Sequence, residues 1–183
     1  MRLLAISGSL REGSHNTALL RTAAELAPDE VVVERYDALA LLPPFSEDLE
    51  DHEPPAVRHW RDAIARADAL LFSTPEYNAS VPGQLKNAVD WASRPVGEAV
   101  LEGKPAAVIG ASTSAYGALW AQAELRKILG AAGARVVEAE LAVPRAQELR
   151  AGAGLKLAPS QRERLAGVIG SLVAAASRAP AVV

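Results

Sequence analysis

The sequence predicts an α/β fold in which a five-stranded parallel sheet lies between two layers of helices. Segments with strand character alternate with segments of helical spacing along the chain, an order typical of a parallel sheet with crossover helices. Residues 69–73 form a continuous apolar run, the pattern of a strand covered on both faces. Because 183 residues, half of them hydrophobic, suffice for one well-buried core, residues 1–183 are predicted to form a single domain.

Strand and helix patterns alternate over the first half of the chain. Apolar or β-branched runs predict strands at residues 2–7, 31–36 and 69–73. Apolar residues at helical spacing predict helices over residues 15–26, 57–67 and 85–92. Residues 37–55 form a long acidic loop with two Pro-Pro pairs, and a loop of that length in a compact domain is usually functional.

The second half continues the alternation and ends in a long helix. Two more strands are predicted at residues 106–110 and 135–137, with a helical face between them at Leu125, Ile128, Leu129 and Ala132. Residues 141–159 have no regular pattern and are predicted to be irregular. Ser160 and Glu163 have the spacing of a capping box, which predicts the start of a last helix with an apolar stripe over residues 165–176. The tail from about Ser177 is expected to fray.

Composition excludes several classes of function. A net charge of −3 without a basic run argues against a nucleic-acid-binding protein. The absence of cysteine excludes disulfides, thiolate nucleophiles and cysteine-ligated metals. The three histidines lack a cluster of partner residues, so no metal site is predicted. The apolar run in the first ten residues is too short for a signal peptide or a membrane span, so the protein is expected in the cytoplasm, away from membranes.

Residues 8–17 have the composition of an anion-binding loop. They follow the first strand and contain two glycines, several hydroxyl or amide side chains and Arg11 before the first helix. Unpaired backbone N–H groups and the positive end of a helix dipole converge at such a turn. Arginine can also hold phosphate oxygens through two parallel hydrogen bonds. The segment therefore predicts a phosphate site.

Two further polar loops are expected at the same edge of the sheet. Ligands of open parallel sheets bind at the carboxyl ends of the strands, near the point where the strand order reverses. The loops after the first, third and fourth strands are rich in polar residues and glycine, and they span residues 8–17, 74–83 and 110–118. These three loops are the predicted ligand site.

The first two loops resemble those of a known family. Gly8-Ser9-Leu10-Arg11, Asn16-Thr17 and the segment TPEYNASVPGQLKNAVDW at residues 74–91 are similar to the NADPH-dependent FMN reductase family. The similarity runs from the first strand to the fourth helix. It implies a flavodoxin-like α/β/α sandwich with strand order 2-1-3-4-5, FMN as cofactor and NADPH or NADH as electron donor.

The resemblance also implies the roles of individual residues. By position, it assigns the FMN phosphate to Ser9, Arg11, Ser14, Asn16 and Thr17. It assigns the isoalloxazine ring to Pro75, Glu76, Tyr77 and Asn78, and adds Ser112 from the third loop. No side chain is predicted to act as a general acid or base. Ser114 and Ala118 stand where the family commonly has glycine, so the acceptor side of the pocket is expected to differ.

The activity implied is that of an NAD(P)H-dependent oxidoreductase acting on quinones, free flavins or related small-molecule acceptors. The flavin itself carries the hydride transfers, and the protein supplies binding, orientation and electrostatics. Because donor and acceptor would use the same ring face in turn, ping-pong kinetics are expected. The resemblance further implies a homodimer or homotetramer.

Two other functions remain open at this stage. A flavodoxin-type electron carrier would bind FMN similarly, but such carriers are more acidic and have a different phosphate loop. A flavin-free nucleoside-processing enzyme could use the same fold with Glu76 as its nucleophile.

Overall fold

Five parallel strands form one sheet in the order β2-β1-β3-β4-β5 in the computed structural model, which describes residues 1–178. The strands are β1 (Arg2–Ser7), β2 (Val32–Tyr36), β3 (Ala69–Thr74), β4 (Pro105–Ala111) and β5 (Arg135–Val143). The helices of the described residues are α1 (His15–Leu26), α2 (Pro55–Arg66), α3 (Gly83–Ala92), α4 (Leu119–Ala131) and α5 (Pro159–Ser177). The predicted α/β class and flavodoxin-like strand order are confirmed.

The sheet divides the interior into two apolar layers. Successive side chains of a strand point to opposite faces, so the registered row Ile6, Phe72 and Val108 faces α2, α3 and α4. The adjacent row Ala5, Leu71 and Ala107 faces α1 and α5. All of β3 and β4 is buried, which explains why both were recognisable as continuous apolar runs.

The region after residue 137 differs from the prediction. Strand β5 continues to Val143, although residues 141–159 were expected to be irregular. It lies at an edge of the sheet and alternates apolar with charged residues, so it lacks the unbroken apolar run of a central strand. A short antiparallel hairpin of β6 (Arg150–Ala151) and β7 (Gly154–Leu155) follows and packs on α1.

The starts of helices α5 and α2 also differ from the predicted positions. The capping box predicted at Ser160 and Glu163 is wrong: α5 begins at Pro159, and Gln161 Oε1 accepts a hydrogen bond of 3.0 Å from the Ala158 N–H. The acidic loop ends earlier than predicted, because Pro55 already opens α2. Helix α5 includes Ser177, and the remainder of the tail expected to fray, residues 179–183, lies outside the described residues.

Within residues 1–178, no helix has an apolar stretch sufficient to cross a bilayer.

Candidate active site

Asn16 joins the first polar loop to two strands at the carboxyl edge of the sheet. Its Nδ2 donates to the Ala111 carbonyl oxygen at 2.9 Å, and its Oδ1 accepts the Ala111 N–H at 2.9 Å. The same Oδ1 accepts the hydroxyl of Ser73 at 2.9 Å. The side chain is 2% exposed. Asn16 therefore ties the start of α1 to the ends of β3 and β4, and its amide group is committed to that bracing.

The first loop is closed by hydroxyl groups. Ser14 caps α1, since its Oγ accepts the N–H groups of Asn16 at 3.2 Å and Thr17 at 3.3 Å. Thr17 Oγ1 donates to Ser7 Oγ at 3.0 Å, and Ser7 Oγ also accepts the Ser9 N–H at 3.3 Å. Ser7 was not predicted to belong to the site. It is the last residue of β1, and a hydroxyl that ends a buried strand was the available sequence indication.

Three guanidinium groups surround a cavity beside the first loop. The cavity measures about 250 Å³ and is lined by Arg11, Glu12, Gly13, Ser14, Thr17, Arg21 and Arg150. Arg11 was predicted to be here. Arg21 follows one helical turn after Thr17, and Arg150 arrives from the β6–β7 hairpin, 136 positions from Ser14. Local sequence gave no indication of Arg150, because only the fold brings it to this loop.

The environment of His15 reflects this positive charge. Burial lowers the pKa of its imidazole, and the nearby Arg11 and Arg150 lower that pKa further. Its Nδ1 is buried without a hydrogen-bond partner among the described residues. The first loop is thus a place where additional positive charge is disfavoured and an anion would be favoured.

The second loop makes a tight turn between β3 and α3. The Tyr77 N–H donates to the Ser80 carbonyl oxygen at 3.0 Å, and the Ser80 N–H returns a bond of 3.1 Å to the Tyr77 carbonyl. Asn78 and Ala79 both have positive φ, at 53° and 60°, as a type I′ turn requires. Pro75 is buried, whereas Tyr77 and Asn78 are exposed. The turn therefore presents the side chains of residues 77 and 78 to solvent at the loop edge.

The first and second loops pack closely at Gly8. A Cβ atom at this position would lie 2.7 Å from Leu85 Cδ2 and 3.4 Å from Pro75 Cδ. The Leu85 side chain would have to shift to admit a Cβ atom, so glycine at this position favours the close packing of the two loops.

The Glu76 carboxylate is hydrogen-bonded to the start of α4, the helix that follows the third loop. Its Oε2 accepts the backbone N–H groups of Trp120 at 3.0 Å and Ala121 at 3.1 Å. The resemblance placed Glu76 beside the flavin ring, and the structure places its carboxylate at the start of α4. Both hydrogen bonds end on Oε2, and neither involves the other carboxylate oxygen, Oε1.

The third loop holds Ser112 between two strands' ends. The Ser112 N–H donates to the Val143 carbonyl at 3.1 Å, and its Oγ lies 2.9 Å from Ser114 Oγ. Ala118 has φ +62° and ψ 36°, the left-handed conformation that glycine adopts most easily. Ser114 is outside that region. Of the two positions where the family commonly has glycine, only Ala118 thus carries a glycine-like backbone.

Exposed apolar side chains from all three loops lie at this edge: Leu10, Tyr77, Tyr116 and Trp120. Tyr116 is 58% exposed and Trp120 48% exposed, and their rings meet edge to face with centroids 4.8 Å apart. A surface of this kind beside a cationic cavity suits a ligand with one anionic end and one flat aromatic end.

Comparison with known proteins agrees with this geometry. Residues 1–148 match the profile of the NADPH-dependent FMN reductases, which is more than half of the chain. The chain belongs to the NADPH-dependent FMN reductase family. As a member of this family it is an oxidoreductase.

Individual relatives of this FMN reductase family member extend the comparison. An NAD(P)H-dependent FMN reductase of Pseudomonas aeruginosa is 49% identical over 130 residues, which are 70% of this chain and 69% of the relative. A 2-hydroxy-1,4-benzoquinone reductase of a Burkholderia species is 44% identical over 128 residues, with the same coverage. The solved structure of a flavoenzyme NAD(P)H:(acceptor) oxidoreductase from Paracoccus denitrificans superposes with a TM-score of 0.88 at 33% identity, covering 97% of this chain and 98% of the other.

Proposed function

We propose that this chain binds FMN at the three-loop edge and transfers hydride from NADPH or NADH to a quinone, a free flavin or a related small acceptor. The observation that carries the proposal is the pairing of a cationic cavity with an exposed aromatic surface at the carboxyl edge of the sheet. Relatives named as FMN and quinone reductases support the same reaction class.

The first loop fits the phosphate of FMN. Arg11 lines the cavity, Thr17 and Ser14 present hydroxyl groups beside it, and Ser9 lies in the same turn. Ser14 Oγ accepts two backbone N–H groups and still has its own proton to donate. In this proposal the Asn16 side chain does not bind the phosphate itself. It holds the loop in place through hydrogen bonds to Ser73 and Ala111.

The second and third loops fit the ring. Buried Pro75 fixes the turn, Tyr77 and Asn78 border the open side, and Ser112 lies on the opposite loop. Glu76 links the second loop to the third by accepting a hydrogen bond from the Trp120 N–H at the start of α4. When bound, FMN supplies the hydride-accepting and hydride-donating centre, so no side chain of the chain is assigned as a general acid or base. Donor and acceptor would occupy the same open face in turn, which gives ping-pong kinetics.

A visible spectrum tests this proposal directly. Purified protein is mixed with FMN, freed of excess flavin, treated with NADPH without air and then given a quinone. Bleaching by NADPH followed by return of colour with quinone is the expected result. Bound flavin that NADPH does not reduce would favour an electron carrier instead, and failure to bind FMN would overturn the flavin-dependent function.

We further propose that the enzyme acts in the cytoplasm as a homodimer or homotetramer. The half-exposed Tyr116 and Trp120 support assembly, because exposed aromatic side chains are enriched at subunit interfaces. Light scattering on a sizing column measures the mass in solution, and a purely monomeric protein would contradict the proposed assembly.

A further inference from the structure

Three arginines without an acidic partner among the described residues gather around the first-loop cavity. Of the twelve other arginines within residues 1–178, five form ion pairs with Asp or Glu, at positions 35, 58, 61, 94 and 126, and seven do not. Arg11, Arg21 and Arg150 line the same cavity, and none has a carboxylate within ion-pair distance among residues 1–178. The single carboxylate that lines the cavity, that of Glu12, does not balance three guanidinium groups, so the excess of like charge favours an anionic ligand.

Arg150 is held at the cavity by the β6–β7 hairpin. The Leu155 N–H donates to Thr22 Oγ1 at 2.9 Å, which fixes the hairpin to α1. A Cβ atom at Gly154 would lie 2.8 Å from that same oxygen, so the hairpin and the helix are in close contact. From this position Arg150 Nη1 reaches the Ser14 carbonyl oxygen at 3.4 Å. That bond uses one of five guanidinium N–H groups, and the others remain available.

The charges around the cavity suit a phosphate monoester. Three guanidinium groups face one carboxylate, that of Glu12. A phosphate monoester carries about −1.5 to −2 charges near neutral pH, which balances the remaining positive charge. Guanidinium groups also match phosphate oxygens in geometry, because two parallel N–H groups reach two oxygens.

We propose that Arg150 binds the 5′-phosphate of FMN together with Arg11 and thereby sets the preference for FMN over riboflavin. This inference rests on the proposed function. In this proposal the β6–β7 hairpin becomes part of the cofactor site through one side chain, although the family match ends at residue 148.

Paired flavin titrations test the role of Arg150. Quenching of flavin fluorescence gives the affinity for FMN and for riboflavin, which lacks the phosphate, in the wild type and in Arg150→Ala. The expected result is a loss of FMN affinity of about tenfold or more, the scale of a charge-assisted hydrogen bond, with riboflavin affinity unchanged. Arg150→Lys keeps the charge without the planar fork, so we expect it to recover part of the loss. Equal losses for both flavins, or no loss for either, would overturn the proposal.

A matched control and a second probe separate this inference from the proposed function. Arg162 is an exposed arginine on α5, and Arg162→Ala should leave the affinities for FMN and riboflavin unchanged. Inorganic phosphate, exchanged for chloride at constant ionic strength, should raise the melting temperature of the wild type more than that of Arg150→Ala. If no flavin binds but phosphate stabilises the protein through Arg150, the reductase function fails while the phosphate-binding role of Arg150 stands. If FMN is still preferred equally in Arg150→Ala, Arg150 is excluded and the reductase function stands.

Discussion

The carboxylate of Glu76 caps helix α4 across the site, with its Oε2 accepting the Trp120 N–H at 3.0 Å. The same oxygen accepts the N–H of Ala121. These are the second and third residues of the helix, whose N–H groups are normally satisfied by the residue before the helix. That residue is Ala118, which has no side-chain oxygen. The second loop therefore supplies the cap that the third loop lacks.

Removing the Glu76 carboxylate should destabilise the start of α4. We expect Glu76→Ala to lower the free energy of unfolding by about 1 kcal/mol, the usual cost of losing a helix cap. Glu76→Gln keeps an acceptor oxygen but loses the charge that favours a helix N-terminus, so a smaller loss is expected. Urea denaturation measures both. An Ala variant as stable as the wild type would mean that the cap contributes nothing in solution.

Asn16 should be far more sensitive to substitution than its polarity suggests. Asn16→Ala leaves the Ser73 hydroxyl and both backbone groups of Ala111 without their partner in a buried place. We expect a loss of about 2 to 4 kcal/mol in the free energy of unfolding, because buried polar groups left unpaired are costly. Gln147 is exposed, and Gln147→Ala should change stability by less than about 0.5 kcal/mol. A loss in Asn16→Ala no larger than this control would contradict the bracing role.

The turn of the second loop offers a stabilising substitution. Ala79 is exposed and has φ +60°, a conformation that disfavours a residue with a Cβ. We expect Ala79→Gly to raise the free energy of unfolding by about 0.5 to 1 kcal/mol. The matched control is Ala24→Gly, at an exposed position inside α1, which should lower it by about 1 kcal/mol. If both substitutions lower stability, the left-handed turn is absent in solution.

His15 should report on the charge of the first loop. Burial and then Arg11 and Arg150 lower the pKa of its imidazole, so we expect NMR titration to give a value below the ordinary one of about 6.5. The unfolded chain then binds more protons in this range, and the contribution of His15 to stability decreases as the pH falls through it. Both phosphate addition and Arg150→Ala should raise this pKa. The signal is assigned with His15→Gln, and a pKa indifferent to phosphate would place the anion elsewhere.

The sequence was sufficient to predict the fold and to bring the three polar loops of the candidate site to one edge of the sheet. Alternating strand and helix patterns gave the order of the elements, and the buried runs of β3 and β4 marked the sheet centre. Parallel strands with right-handed crossovers bring the loops after β1, β3 and β4 to one edge. Local patterns therefore determined the α/β class and, with the loop motifs, indicated where the candidate site lies.

Only the tertiary structure decided which atoms of that edge are free and which are committed. Asn16 lies in the predicted phosphate loop, yet its amide group hydrogen-bonds to Ala111, 95 positions away. Glu76 caps a helix that begins more than 40 positions later, and Arg150 meets Ser14 across 136 positions. Such contacts involve single residues and leave no periodic pattern in the sequence. They depend on how the helices and strands pack against one another, whereas sequence patterns reflect how each helix or strand forms.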